Sequence, residues 1–447
     1  MTFSGAELGL AWAAPFAGLL LSIAVMPLAA PGVWHHHFGK IAAAWAALLL
    51  VPFAATFGLG ATGGVVLHTV IEEYLPFTVL LAALYTTAGG IYIRGNLHGS
   101  PTLNVGLMGL GAVLASFMGT TGASMLLIRP LIRANDNRLH NAHVVVFFIF
   151  IVSNVGGSLT PLGDPPLFLG FLQGVSFFWT AGHLWPETLF LLAGLLGVFW
   201  LLDSWLYRKE GVTRADPTPD TPTLGLEGAI NLLPLAAAIG FVLLSGTWKP
   251  GVVLDVFGTP LPLQALVRDL GLVAVTVVSL AITPAGVRAK NQFSWAPMQE
   301  VAKLFMAIFL TMVPVIAMLK AGAAGVFAPV AAMLSGAHGE PSPMAYFWLA
   351  GGLSSVLDNA PTYLAFFNLA GGDAQRLMGE GATVLAAISG GSVFMGAMTY
   401  IGNAPNFMVK AIAEDRGVKM PSFGGYLLWS GAVLLPLLWV MSWIWMR

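Results

Sequence analysis

The sequence predicts an all-α polytopic membrane protein: about 10–11 transmembrane helices, two of them discontinuous, plus two re-entrant hairpins in an inverted repeat. Three observations carry that prediction. Of 447 residues, 57% are hydrophobic and 9% charged, whereas a soluble chain carries about 25% charged residues. Apolar stretches of roughly 20 residues, the length that crosses a bilayer, recur along the chain. Two of the most interrupted stretches share one pattern of Gly, Pro, Asn and Asp.

Composition also excludes whole classes. The 19 basic and 20 acidic side chains cannot solvate the roughly three soluble domains that this length would suggest. A net charge of −1 without a basic tract argues against a nucleic-acid partner. Cys is absent, so disulfides, Cys zinc sites, iron–sulfur clusters and thiol catalysis are excluded. No P-loop, nucleotide fingerprint or catalytic triad is present, so neither an enzyme nor ATP-driven pumping by this chain alone is expected, and no cofactor is implied.

The elements follow in order. The first apolar stretch, about 8–30, lacks a basic leader and is long enough to span, so it reads as a helix and not a cleaved signal. Continuous spans are expected at 8–29, 41–59, 75–93, 186–205, 229–246, 268–284, 301–320 and 425–446. Two more, 143–172 and 382–413, are interrupted by Gly, Pro, Asn and Asp. Segments 104–131 and 344–370 each consist of two short apolar arms around a polar tip. That pattern suits a re-entrant hairpin, tolerated only where protein buries the tip. The hydrophilic stretch 207–227, with Pro217, Pro219 and Pro222, reads as a cytoplasmic linker. It divides a first half, 1–206, with hairpin 104–131 and broken helix 143–172, from a second half, 228–447, with hairpin 344–370 and broken helix 382–413.

Lesser features fit this threading. His35, His36 and His37 read as a loop beside Lys40 or as a metal site; Glu72 and Glu73 fall near an outer interface, and Glu300 is placed to pair with Lys303. His143, at the mouth of the first broken span, is a candidate proton relay. Orientation follows from the basic residues. If the ends of hairpin 104–131 face the cytoplasm, 14 of the 19 Lys and Arg lie on that side and 5 outside. The ends of hairpin 344–370 then face outward, so the two hairpins enter from opposite faces.

The interrupted spans repeat each other. Thr160-Pro161-Leu162-Gly163-Asp164-Pro165-Pro166 echoes Thr399-Tyr400-Ile401-Gly402-Asn403-Ala404-Pro405, with a spacing of 239. At the hairpin tips, Gly119-Thr120-Thr121 stands about 238 before Leu357-Asp358-Asn359, which sets Asp358 against Thr120. Oppositely oriented repeats, each with a helix broken near mid-membrane, point to the binding site of a secondary transporter. The break frees carbonyls and N–H groups that cost several kcal/mol if left unpaired, and an ion or substrate can satisfy them.

Two clusters of candidate ligands result, one in each half. The first holds Thr120, Thr121, Ser153, Asn154, Gly157, Thr160 and Asp164; the second holds Ser355, Asp358, Asn359, Thr362, Thr399 and Asn403. Their hydroxyl, amide and freed carbonyl oxygens suit a bare alkali cation. An intramembrane Asp is costly and usually marks an ion or proton path, so Asp164 and Asp358 are candidate Na⁺ ligands. The alternative for both is capping of a half-helix. A carboxylate in low dielectric tends to hold its proton unless a cation compensates it, which is the logic of Na⁺ and H⁺ competing for one site.

These residues resemble the ion transporter superfamily. Ser153-Asn154-Val155-Gly156-Gly157-Ser158, followed by Thr160-Pro161-Leu162-Gly163-Asp164, resembles the Ser-Asn-Thr-Gly-Gly…Ser-Pro-Ile-Gly-Asp stretch of NhaD-type sodium/proton antiporters. Ser354-Ser355-Val356-Leu357-Asp358-Asn359-Ala360-Pro361 resembles that branch's Ser-Ser-Val-Val-Asp-Asn-hydrophobic-Pro. The chain departs from it at the first tip, where Gly119-Thr120-Thr121 replaces Asp-Asn. The second break, Gly402-Asn403-Ala404-Pro405-Asn406, is closer to the Pro-Pro-Asn type of citrate and dicarboxylate transporters. The resemblance implies a homodimer in which a transport domain moves against a scaffold.

The reading is a secondary active transporter of the inner membrane working by alternating access. It is expected to be a sodium(cation)/proton antiporter, or alternatively a Na⁺- or H⁺-coupled citrate/dicarboxylate transporter. Two intramembrane carboxylates with no Lys or Arg in either cluster favour the cation; half-helix N-termini could hold the anion. The expected partners are the lipid bilayer, a small ion or small-molecule substrate, and a second copy of the chain. A channel built on the broken helices is the reading from another class.

Overall fold

The structure, a computed structural model, describes residues 4–211, 215–218, 224–336 and 340–447. Part of the expected linker, 212–214 and 219–223, lies outside the described residues. The protein is an all-α membrane bundle. Among the described residues, nine helices are long and apolar enough to cross a bilayer. One of the nine is folded back on itself, so eight continuous spans stand beside two broken ones.

In chain order the bundle opens with α1 (Ala14–Ala29), α2 (Pro31–Phe57) and α3 (Leu59–Gly89). Two of these spans differ from the expected ones. Span 41–59 starts ten residues earlier, and His35 to His37 lie on its first turns instead of in a loop. Span 75–93 begins at Leu59, because Gly60, Gly63 and Gly64 dilute the apolar signal without breaking the helix. In α3 the turn Val70–Tyr74, which carries Glu72 and Glu73, widens to a π-helix just before Leu75-Pro76. Proline has no N–H to give the preceding turn, and a π-turn absorbs the mismatch. The last helix repeats the device, with a π-turn at Ser430–Leu434 before Leu435-Pro436.

Next comes α4 (Pro101–Ala134), broken at Gly119, whose φ of 78° lies in the left-handed region that glycine adopts readily. Its two arms are antiparallel. Asn104 and Asn135 exchange amide hydrogen bonds of 2.9 and 2.8 Å, although an unbroken helix would hold them about 46 Å apart. A buried ion cluster closes this end. Arg138 lies 2.5 Å from Asp203, Asn104 donates to Asp203 at 3.0 Å, and His143 Nε2 stands 2.9 Å from the same carboxylate.

The first broken helix is α5 (Ala142–Ile151), an irregular break, and α6 (Pro165–Leu172). From Val144 to Val152 no side chain is more than 2% exposed, so the most apolar segment runs through the centre. Helix α7 (Trp179–Glu210) completes the first half. The second half has α8 (Leu232–Thr247), α9 (Leu263–Ile282) and α10 (Ala296–Lys320). Its hairpin is α11 (Pro343–Ser354) and α12 (Asn359–Leu369), closed where the rings of Tyr346 and Phe366 come within 6.3 Å. The second broken helix is α13 (Ala382–Phe394) and α14 (Ala404–Asp415), and α15 (Phe423–Trp445) ends the chain. Helices α8 and α9 keep Leu233, Leu270 and Val277 more than half exposed, as a lipid-facing surface requires.

Candidate functional site

Helix starts from both halves converge on one place. Asp164 is the N-cap residue of α6 and Asn403 that of α14, with nearly identical extended backbones, φ/ψ −142°/142° and −148°/139°. Gly119 precedes the second arm of α4, and Asp358 caps α12. Proline right after each break, at 165, 166 and 405, suits a first helical turn that needs no N–H.

The repeat holds at atomic detail with one offset throughout. Thr160 Oγ1 donates to the Ser116 carbonyl, and Thr399 Oγ1 donates to that of Ser355. A Cβ on Gly163 would come 2.2 Å from the Gly157 carbonyl oxygen, and one on Gly402 would come 2.5 Å from that of Gly396. All these pairs are 239 apart. The tips obey the same offset, which corrects the alignment: Thr120 matches Asn359, and Asp358 matches Gly119.

The two clusters form one site. Asp164 accepts from Thr120 Oγ1 at 3.0 Å, Asn359 Nδ2 at 2.8 Å and Asn403 Nδ2 at 3.3 Å. One donor comes from its own half and two from the other. The Asn403 amide nitrogen also stands 3.2 Å from the Ser153 carbonyl and 3.1 Å from Asn154 Oδ1, so its two N–H hydrogens are shared among three acceptors. Three donors on one buried side chain are the setting of an acceptor-only group.

Other candidates serve the scaffold of the site. Thr160 and Thr399 pin the hairpins to the breaks, and Gly157 gives the close approach that lets Gly163 pass. The Ser153 hydroxyl pairs with Ser124 at 2.8 Å, and that of Ser355 turns back to Gly352 at 2.7 Å. Thr362 donates to the Asp358 carbonyl at 3.0 Å, and the Asp358 carboxylate accepts from the Ala360 N–H at 3.1 Å. Asp358 is thus a capping residue in this conformation, and it also borders the cavity. Asn406 belongs to the second cluster, in the same run as Thr399 and Asn403. It is fully buried and donates to the Gly396 and Thr399 carbonyls; its signal was the Asn-x-x-Asn spacing with Asn403.

A cavity of about 710 Å³ lies against this site. Thr120, Thr121, Asp164, Asp358 and Asn403 form its polar floor, and Leu80, Leu84, Phe168, Phe305, Tyr400 and Phe407 are among its walls. The far rim carries Pro31, His35, Ser294 and Pro297, all exposed. Among the described residues no Lys or Arg borders the cavity, whereas three carboxylates do: Asp164, Asp358 and Glu300. Glu300 accepts from Trp34 and Lys303 lies over the Phe38 ring at 5.3 Å, so the expected Glu300–Lys303 pair is replaced. On the opposite side α6 and α12 pack closely at one point, where a Cβ on Gly170 would come 2.3 Å from the Tyr363 hydroxyl. His143 is buried against Asp203 and does not border the cavity.

Comparison with known proteins adds a family. A family model described as "Putative citrate transport" matches residues 5–446. Uncharacterized transporters of Mycobacterium bovis and Mycobacterium tuberculosis are each 26% identical over 341 residues, covering 74% of this chain and 73% of theirs.

Proposed function

This chain belongs to the citrate-transport family whose model it matches, and from that premise we propose that it carries a small carboxylate of the citrate class across the membrane, coupled to Na⁺ or H⁺. The observation that carries this reading is the cavity. Its volume of about 710 Å³ falls in the range of small-molecule sites, roughly 300–1,000 Å³, far above the room for a bare ion. Its floor is set with helix starts, whose partial positive charge favours an anion. Asp164 and Asp358 supply the opposite sign. An anion can share that floor only when a cation or proton compensates the carboxylates, which makes coupling a requirement of the electrostatics.

The same geometry supports alternating access. The cavity rim at His35 and Ser294 adjoins Phe38 and Phe293, which carry Lys303 and Arg288 over their rings, the cytoplasmic face by the charge rule. The contact of Gly170 with Tyr363 supports closure of the other face. We place the protein in the inner membrane, as a homodimer, with the halves 1–206 and 228–447 joined by a cytoplasmic linker. It acts as a carrier and not as a catalyst.

A sodium(cation)/proton antiporter is the second reading. It is favoured by one observation, the absence of Lys and Arg among the described residues of the cavity lining, beside three carboxylates. Reconstituted vesicles with an internal pH dye separate the two. Labelled citrate taken up under a Na⁺ or proton gradient supports the first reading. Na⁺ pulses that move protons without citrate, and no citrate uptake, support the second.

A further inference from the structure

Three asparagines form a chain of amides between the two broken helices. Asn406 Nδ2 donates to the carbonyls of Gly396 and Thr399, each at 2.8 Å. Two carbonyls against one end of an amide require its nitrogen there, although amide direction is often ambiguous. Oδ1 of Asn406 therefore points the other way, where it accepts from Asn154 Nδ2 at 2.7 Å. Asn154 is fixed independently, because the same nitrogen donates to the Ile149 carbonyl at 2.9 Å. Its Oδ1 must then accept, and Asn403 Nδ2 supplies the donor at 3.1 Å. The Ser153 carbonyl, 3.2 Å from that nitrogen, orients Asn403 in the same sense. The chain ends on Asp164, 3.3 Å from Asn403 Nδ2. Asn154 and Asn406 are fully buried and Asn403 is 3% exposed.

We propose that Asn406 is a positioning residue that, through Asn154, holds the Asn403 amide with its nitrogen on Asp164 and its oxygen turned toward the cavity. Asn403 Oδ1 accepts no hydrogen bond from the described residues, and Asn403 borders the cavity. The group seated against it is then a cation or an O–H donor, such as the hydroxyl or a protonated carboxyl of a hydroxy acid. A bare carboxylate oxygen would meet another acceptor there. Asn406 thus sets which substrate atoms the floor will take, without touching substrate. The inference rests on the reading of Asp164 as part of the transport site.

The test uses the full chain in lipid. The infrared carboxylate stretch of Asp164 is identified as the band lost in Asp164→Asn. It should shift in Asn406→Ala and in Asn154→Ala, and the KM for citrate should rise roughly 10- to 100-fold, the scale of one hydrogen bond to a charged group. Asn406→Asp should show the same rise near neutral pH. In acid it should recover, as the introduced carboxyl gains a proton that it can donate to a carbonyl; a residue that only fills space gives no acid rescue. An unmoved Asp164 band in both alanine variants, with melting transitions intact, overturns the relay. Wild-type citrate transport by Asp164→Asn instead overturns the transport-site reading, while the band still reports on the relay.

Discussion

Thr160 and Thr399 make the same hydrogen bond in opposite halves of the protein: each hydroxyl donates to the carbonyl of a serine 44 positions earlier, Ser116 and Ser355. Each oxygen also accepts from the N–H two residues on, Leu162 and Ile401, at 3.2 Å in both cases. The contact ties a hairpin arm to a broken helix, so it governs how the site is assembled.

Thr160→Val and Thr399→Val should therefore have matching consequences. Each leaves a carbonyl without its donor, at about 1–3 kcal/mol. Melting curves of the purified variants should fall by similar amounts. A large drop in one and none in the other would show that the repeated contact is not equivalent.

Glycine at the breaks is required by space. Gly163→Ala and Gly402→Ala drive a methyl into a backbone carbonyl at 2.2 and 2.5 Å, closer than real Cβ contacts allow. Both should lose transport and thermal stability. Gly352→Ala, which meets nothing within 4 Å, should behave as wild type in the same assays.

The two aspartates should separate. Asp164→Asn keeps the shape but brings an amide among three donors, and uptake in vesicles should fall by at least about a hundredfold, the scale of 2.7 kcal/mol. Asp358→Asn preserves the cap on Ala360, since Asn caps as well as Asp. Its melting temperature should stay near wild type, whereas Asp358→Ala should lose about 1 kcal/mol. Transport by Asp358→Asn then reads the charge alone: unchanged uptake assigns the residue to capping, and lost uptake assigns it to coupling.

Breaking the buried cluster at the hairpin base should be severe. Arg138 and Asp203 side chains are fully buried against each other, and Asp203→Asn strands the guanidinium. A loss of about 3–5 kcal/mol is expected, measured as lower folded yield and melting temperature. A variant as stable as wild type would show that Glu210, 3.6 Å from Arg138, carries the balance instead.

Orientation is open to labelling because the chain has no Cys. Cys at His140 or Ser294, both exposed, should react only with reagents that reach the cytoplasm. Cys at Gln375, beyond the second hairpin, should react from outside. Labelling of all three from one face would contradict the opposed hairpins.

Much of this architecture was legible in the chain because membrane solvent punishes irregular backbone so heavily. Apolar arms around Gly119 and around 355–358 read as hairpins, and Gly-Asp-Pro at 163–165 reads as a break. Asp164, Asn403, Thr120 and Asn359 stood out as polar groups in an apolar field. Their union in one site was not legible. Sequence places Asp164 and Asn359 in separate halves, and only packing shows Asn359 bonded to Asp164 across 195 residues. The start of α3 was missed for the opposite reason: glycine lowers hydropathy while leaving a packed helix intact.

The way Asp164 gathers its donors also sets a timetable for biosynthesis. Thr120 leaves the ribosome before Asp164, but Asn359 and Asn403 follow it by 195 and 239 residues. At about 5–20 residues per second, the last donor arrives roughly 12–48 s later. Through that interval the nascent first half holds an acidic side chain with a single partner inside an apolar segment. It is then least settled in the bilayer. Completion of the second half supplies the two missing donors, so the residues that floor the cavity also finish the burial of Asp164.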